Sequence, residues 1–284
     1  MILKFFRNVL VAVLAAWAPF IQSAPKELIF SAAPTEATEK ALAQYTPLME
    51  YLSKEIGVKI RVEMAPNFIE YSQKLIENYY DITFDGPHLT GWRMQRFNHK
   101  VLSKFPGDLR FIVLVRDDAD ISKVRKLAGK KVCGVGIPNL MTMGFLDLFA
   151  DPASMPVVVN VKEFGDAVVC AQQGKGVAAV TRDKFWVKLP EGKKAGLKVL
   201  FHSPDPWPER AFSVSDRVDA STREKLRAAL LSPEGAAAGA VLLNNLKMDK
   251  FVPATDKEYQ GFGRLLRHVW GFHDQTTPLV QNPD

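Results

Sequence analysis

The sequence is poor in the features that most quickly assign a protein. Only two of its 284 residues are cysteine and five are histidine, too few for a disulfide-stapled miniprotein or a zinc cluster. Gly and Pro number 18 each, and 24% charged against 47% hydrophobic residues excludes collagen-like and disordered chains. No stretch offers about 20 clean apolar residues, so a membrane-spanning anchor is not expected. Catalytic signatures are missing as well. There is no Gly-x-Ser-x-Gly elbow, no His-Glu-x-x-His and no phosphate-binding Gly-rich loop, and Gly134-Val-Gly136 lacks the third glycine of a dinucleotide fingerprint. The expectation is a protein that is not an enzyme and calls for no cofactor and no resident metal.

What is present begins with an export signal. Lys4 and Arg7 precede an uncharged run from Val9 to Ile21, interrupted by Pro19 and followed by the small residues Ser23 and Ala24. Residues 1–24 therefore read as a secretory signal peptide, cut after Ser23 or Ala24, and the mature protein is expected in the periplasm. Removing it lowers the formal charge from +6 to +4. A surplus that small and evenly spread gives no reason to expect nucleic acid. In that compartment Cys133 and Cys170 are able to pair, but with one in a strand-like and one in a helix-like run they are read first as small buried hydrophobes.

Along the chain, short apolar runs alternate with longer amphipathic ones, the pattern of an α/β protein. Strands are predicted at 27–31, 59–63 and 81–84, with helices over 36–56 and 68–78 between them, a βαβαβ unit that implies parallel pairing. A helix at 88–97 follows. After strands at 101–104 and 110–115 and a helix at 120–127 comes a second such unit, with strands at 130–136, 157–161 and 177–181 and helices at 143–150 and 165–173. Residues 198–202 and 211–215 read as strands separated by the proline-rich connection Ser203–Arg210. Helices are predicted at 221–231, 233–244 and 256–270, the last with Tyr259, Phe262, Leu265, Leu266 and Val269 on one stripe.

Particular stretches carry a family resemblance. Tyr45-Thr-Pro-Leu-Met-Glu-Tyr-Leu52, Ala65-Pro-Asn-Phe68, Tyr80-Asp-Ile-Thr-Phe-Asp-Gly-Pro87, Leu127-Ala-Gly-Lys-Lys-Val-Cys-Gly134, Asp166-Ala-Val-Val169, Gly176-Val-Ala-Ala-Val180 and Val199-Leu-Phe-His-Ser-Pro204 stand in the order and spacing of the phosphonate-binding group of periplasmic solute-binding proteins. The chain resembles that group over nearly all of its mature length. The resemblance implies an α/β, two-lobed type II periplasmic-binding fold, each lobe a mixed, mostly parallel sheet flanked by helices. Two crossovers, near 111–115 and 204–210, would divide the chain into lobe one (25–112 plus 207–284) and lobe two (113–206). It also implies a monomer that captures a small ligand, oxyanion or organic, between the lobes for the membrane permease of an ABC importer. The alternative is a ligand-sensing or accessory protein that reports to a membrane sensor kinase or serves a periplasmic enzyme or metal system.

For the site, the resemblance points to Pro138-Asn-Leu-Met-Thr-Met-Gly144, where the family holds its anion with hydroxyls and backbone N–H groups at a helix start. Here only Thr142 keeps a hydroxyl, and Met141 and Met143 stand where two more are expected. Phe68 takes the place of a family aromatic, without the phenolic hydroxyl, and an acidic residue of the second crossover survives as Glu209 or Asp205. Asp85 and His88 at the end of the third strand face the predicted cleft, although Asp85 also suits a helix cap and an exposed His88 would titrate near neutrality. Arg93, Arg182 and Arg210 are the candidate cations. Phe68, Phe84, Trp92 and Trp207 are candidate walls, and Met141 and Met143 with His88 raise the alternative of a soft metal. The other histidines, at 99, 202, 268 and 273, read as surface or packing residues.

Overall fold

The computed structural model describes residues 27–272 apart from Leu246, His268 and Trp270, so the signal segment, His268 and His273 lie outside the described residues. The elements in chain order are β1 (Glu27–Ala32), α1 (Thr38–Ile56), β2 (Lys59–Val62), α2 (Phe68–Ile76), β3 (Ile82–Asp85), α3 (Pro87–Phe97), β4 (Lys100–Lys104), β5 (Asp108–Leu109) and β6 (Phe111–Arg116). These are followed by β7 (Lys131–Val135), α4 (Leu140–Leu146), β8 (Val157–Val161), α5 (Phe164–Gln172), β9 (Ala178–Arg182), α6 (Asp183–Lys188), β10 (Leu197–His202), β11 (Trp207–Pro208) and β12 (Ala211–Val214). The chain closes with α7 (Ala220–Leu231), α8 (Pro233–Ala238), α9 (Ala240–Asn245), β13 (Val252–Pro253), α10 (Asp256–Tyr259) and a 3₁₀ turn at Phe262–Leu266.

Two principal sheets result. The first runs β13-β4-β12-β3-β1-β2 and the second β10-β6-β9-β7-β8. In each, the βαβαβ unit supplies the parallel pairs, β1 with β2 and β3 in one and β7 with β8 and β9 in the other. The antiparallel pairs come from strands that arrive from elsewhere in the chain: β12 lies between β3 and β4, and β6 lies between β9 and β10. Apart from both sheets, β5 pairs antiparallel with β11, Leu109 opposite Trp207 and Asp108 opposite Pro208.

The first sheet buries an aromatic-rich core, with Phe30, Phe84 and Phe212 in the strands packed against Tyr45 of α1 and Phe105 and Phe251 of the connections. A second cluster crosses from one sheet to the other, joining Tyr71, Leu89, Leu265 and Leu266 to Phe111, Val113, Leu140, Met141, Met143 and Phe145. Burial on that scale, at ~25 cal/mol per Å² of apolar surface, is what holds the two halves in register.

Three local expectations are corrected. The predicted helix over 256–270 ends at Tyr259, and Gly261 at φ 83° turns the chain before the 3₁₀ segment, so Tyr259, Leu265 and Leu266 are buried without sharing one helical stripe. The helix predicted over 120–127 is reduced to a 3₁₀ turn at Val124–Leu127. Cys133 and Cys170 are not separate hydrophobes but a disulfide linking β7 to α5. Both are also buried, so the burial reading and the bond hold together.

Candidate functional site

A cavity of about 440 Å³ opens between the two sheets. Its walls come from the segment after β1 (Ala33–Thr35), from Phe68 of α2, from Phe84–Leu89 where β3 enters α3, from Val135–Met141 where β7 enters α4, and from Lys162–Phe164, Arg182, Glu209 and Arg210. Most of these positions follow the carboxyl ends of parallel strands, where side chains and loops are free to turn toward a ligand.

Asp85 forms the floor and does not cap α3, whose N-cap residue is Gly86. The Asp85 carboxylate is fully buried and receives the Arg93 guanidinium at 2.5 Å, the Tyr71 hydroxyl at 2.7 and 2.8 Å, and the Ala33 N–H at 3.1 Å. Burial, followed by the Asp85 charge, raises the Tyr71 phenol well above its usual range, so it stays a donor to that carboxylate. Arg93 therefore lies beneath the floor as a counter-ion and does not line the cavity.

His88 is buried, so the exposure on which near-neutral titration depended is not met. Its Nε2 lies 2.9 Å from the Pro138 carbonyl, which only accepts, so Nε2 carries the proton. Burial pushes its pKa down to about 4, the Pro138 hydrogen bond opposing and the nearby Arg210 charge reinforcing the shift. The ring is thus neutral near pH 7 and ties α3 to the loop after β7.

The turn where the family resemblance put the anion is occupied by the chain's own polar groups. Asn139 Oδ1 accepts from the N–H groups of Met141 at 3.0 Å and Thr142 at 3.3 Å. Thr142 donates its hydroxyl to the Val135 carbonyl at 2.7 Å. Gly134 permits this approach, because a Cβ there would lie 2.9 Å from Thr142 Oγ1. Of the residues predicted on this turn, Met141 lines the cavity, whereas Thr142 and Met143 face the packed interior.

The cations divide. Arg182 gives Nη2 to Glu209 at 2.8 Å, and its Nε is buried without an acceptor. Arg210 lines the cavity, and among the described residues no hydrogen bond or ion pair engages its side chain. Among the predicted walls, Phe68 and Phe84 line the cavity. Trp92 packs instead on Phe97 and Phe272, and Trp207 packs on Phe111 and Phe262. Asp205 is exposed and outside the cavity, while Glu209 is inside it. His99 is a packing residue that meets Asn78 Oδ1 at 2.9 Å, and His202 is exposed. No cluster of three or more His, Cys, Asp or Glu suited to a metal occurs among the described residues.

Sequence reasoning did not single out Asn139, Lys162 or Tyr71. Asn before a helix start is a common cap, and that preference was the available signal for Asn139. No pattern marks Tyr71, whose role depends on a carboxylate 14 residues away.

Known proteins share the family and the fold. A family model described as "ABC transporter, phosphonate, periplasmic substrate-binding protein" matches residues 30–259. The phosphonates-binding periplasmic protein of Escherichia coli is 28% identical over 63% of this chain, and the matched region spans only 58% of that relative's length. The phosphate-import protein PhnD of Mycolicibacterium smegmatis is 27% identical over 86% of this chain and 85% of its own. Among solved structures, PhnD1 of Prochlorococcus marinus in complex with methylphosphonate superposes with a TM-score of 0.61 at 14% identity, covering 86% of this chain and 98% of that one. A Xanthomonas citri protein bound to ATP reaches 0.69 at 17% identity, covering 86% and 100%. At such identities the structures establish the fold, which is the type II periplasmic-binding fold.

Proposed function

The chain belongs to the periplasmic substrate-binding proteins of phosphonate ABC transporters, a family of binding proteins and not of enzymes, and from that membership we propose that it captures a small oxyanion of the phosphonate or phosphate class for a membrane permease. The observation that carries this reading is Arg210. It is a cation on the wall of a cavity between two α/β halves, with no internal partner among the described residues. A guanidinium left uncommitted in a partly buried cavity has a donor fork matched to a phosphonate or carboxylate.

The site is a diverged one. With Met141 N–H and Thr142 N–H held by Asn139, and the Thr142 hydroxyl held by Val135, the turn has few donors left for an anion. Arg210, with Arg182 Nε beside Glu209, replaces them in this reading. The ligand faces Phe68, His88, Met141, Glu209 and Arg210, over a floor of Asp85 whose charge Arg93 balances from below. The two lobes are divided at the β5–β11 ladder, with residues 1–24 removed on export, and closure about that ladder holds the ligand.

The test is a thermal-shift and calorimetric titration of the purified protein with methylphosphonate, inorganic phosphate, sulfate and acetate. A ligand at about a hundred times its Kd stabilises by about 2.7 kcal/mol, which is a rise of roughly 5 °C or more. That rise is expected with a phosphonate or phosphate, and its loss is expected in Arg210→Gln. A melting temperature unmoved by any of them overturns the reading.

A further inference from the structure

We propose that the cavity selects oxyanions whose organic arm is uncharged and rejects zwitterions that carry an ammonium group, an inference that rests on the oxyanion reading above and names its substrate class.

Selectivity here depends on which charges of the cavity are already committed. Three carboxylates line it: Asp85, Glu163 and Glu209. Asp85 is neutralised from below by Arg93, with Tyr71 and the Ala33 N–H completing its shell. Glu209, whose side chain is only 6% exposed, is neutralised by Arg182. Glu163 stands exposed at the rim next to Lys162, where water screens it. Left without partners are the cations Arg210 and Lys162, the buried Nε of Arg182, the Glu163 carboxylate at the rim and one neutral acceptor, the buried Nδ1 of His88; inside the cavity the uncommitted charge is positive.

An ammonium group brought into this cavity meets no free interior carboxylate. To gain one it must displace Arg182 from Glu209 or Arg93 from Asp85, which strands a guanidinium with little water around it. It also comes to rest in the field of Arg210. An uncharged arm incurs neither cost, because Phe68, Leu89, Leu140 and Met141 offer it an apolar wall. Arg182 thus acts as a built-in occupant of the place an ammonium would take.

The experiment compares propylphosphonate with 2-aminoethylphosphonate, which have equal numbers of heavy atoms, by isothermal titration calorimetry on the purified protein at neutral pH. The expected result is binding of propylphosphonate at least about tenfold tighter, the size of one unfavourable charge contact. In Arg182→Gln, where Glu209 is released, the ratio should move toward the amino compound by about tenfold, and Arg182→Gln combined with Glu209→Gln should cancel that gain. Equal or tighter binding of the amino compound by the unaltered protein, or an unmoved ratio in a folded Arg182→Gln variant, overturns the proposal. If both phosphonates bind equally, only this inference falls. If neither binds, this inference falls, and if methylphosphonate and inorganic phosphate also leave the melting temperature unmoved, the oxyanion reading falls with it. Should Arg182→Gln fail to fold, the ratio in the unaltered protein decides alone.

Discussion

His88 of α3 donates its Nε2–H to the carbonyl of Pro138, 2.9 Å away, and so joins the helix that follows β3 to the loop leaving the second sheet. The bond has the geometry of an ordinary neutral hydrogen bond and would survive protonation at Nδ1; what opposes a charged ring is its burial, with Nδ1 lacking any partner.

Acid should therefore destabilise the fold well before carboxylates titrate. Burial holds His88 down to about 4 and His99 well below 6.5, whereas both take up protons near 6.5 in the unfolded chain. Below that pH the unfolded state binds more protons, so stability falls as pH drops from about 6.5 toward 4, by about 3 kcal/mol for His88 alone. Urea melts at about pH 7.5, 6 and 5 should show a falling midpoint, and His88→Gln should flatten part of the slope. A midpoint level across that range contradicts the burial of both rings.

Removing one member of the Asp85–Arg93 pair should cost more than removing both. Their side chains are 0% and 1% exposed, so a lone survivor is an uncompensated buried charge, at about 3–5 kcal/mol. Arg93→Met is expected to lower the melting temperature by about 10 °C, and Arg93→Met with Asp85→Asn to regain part of that. Additive losses in the double variant would refute the pairing.

At Gly144 the constraint is steric. A Cβ there would fall 2.0 Å from Trp207 Cη2, and the indole is backed by Phe111 and Phe262. Gly144→Ala should destabilise by roughly 1–3 kcal/mol through overpacking. The same substitution in a Trp207→Leu background should cost less than about half as much in matched denaturation curves.

The disulfide closes a separation of 37 residues. By the loop-entropy model this is worth about 3–4 kcal/mol. Cys133→Ala with Cys170→Ala, or treatment with reductant under mild denaturant, should bring the melting temperature down by several degrees. An unchanged melt after complete reduction, verified by mass, would show that packing alone holds β7 to α5.

How legible these features were depended on their range. Alternation of apolar runs identified both βαβαβ units, because a strand buried on two faces reads as a continuous hydrophobic stretch such as Ala178–Val180. Near the C-terminus the apolar spacing of Tyr259, Leu265 and Leu266 matched a helical stripe, but Gly261 spreads the same buried residues over two segments. For Cys133 and Cys170 the compartment made pairing possible but the sequence could not decide it, since their proximity comes from α5 lying along β7, a tertiary fact. At the site, Asp85, His88 and Arg210 stood out as polar residues at strand ends and in the crossover. Their division into committed and free charges was invisible, because it is decided by Tyr71, Arg93 and Arg182, which reach their partners from other elements.

The two-residue ladder of β5 and β11 has a mechanical meaning. Both passages of the chain between the sheets run through it, and Leu109 and Trp207 face each other across it. The outgoing and returning segments are thus tied to each other at the point where they pass between the sheets. If the halves close on a ligand as proposed, a tie of that kind favours both passages bending together, about one axis.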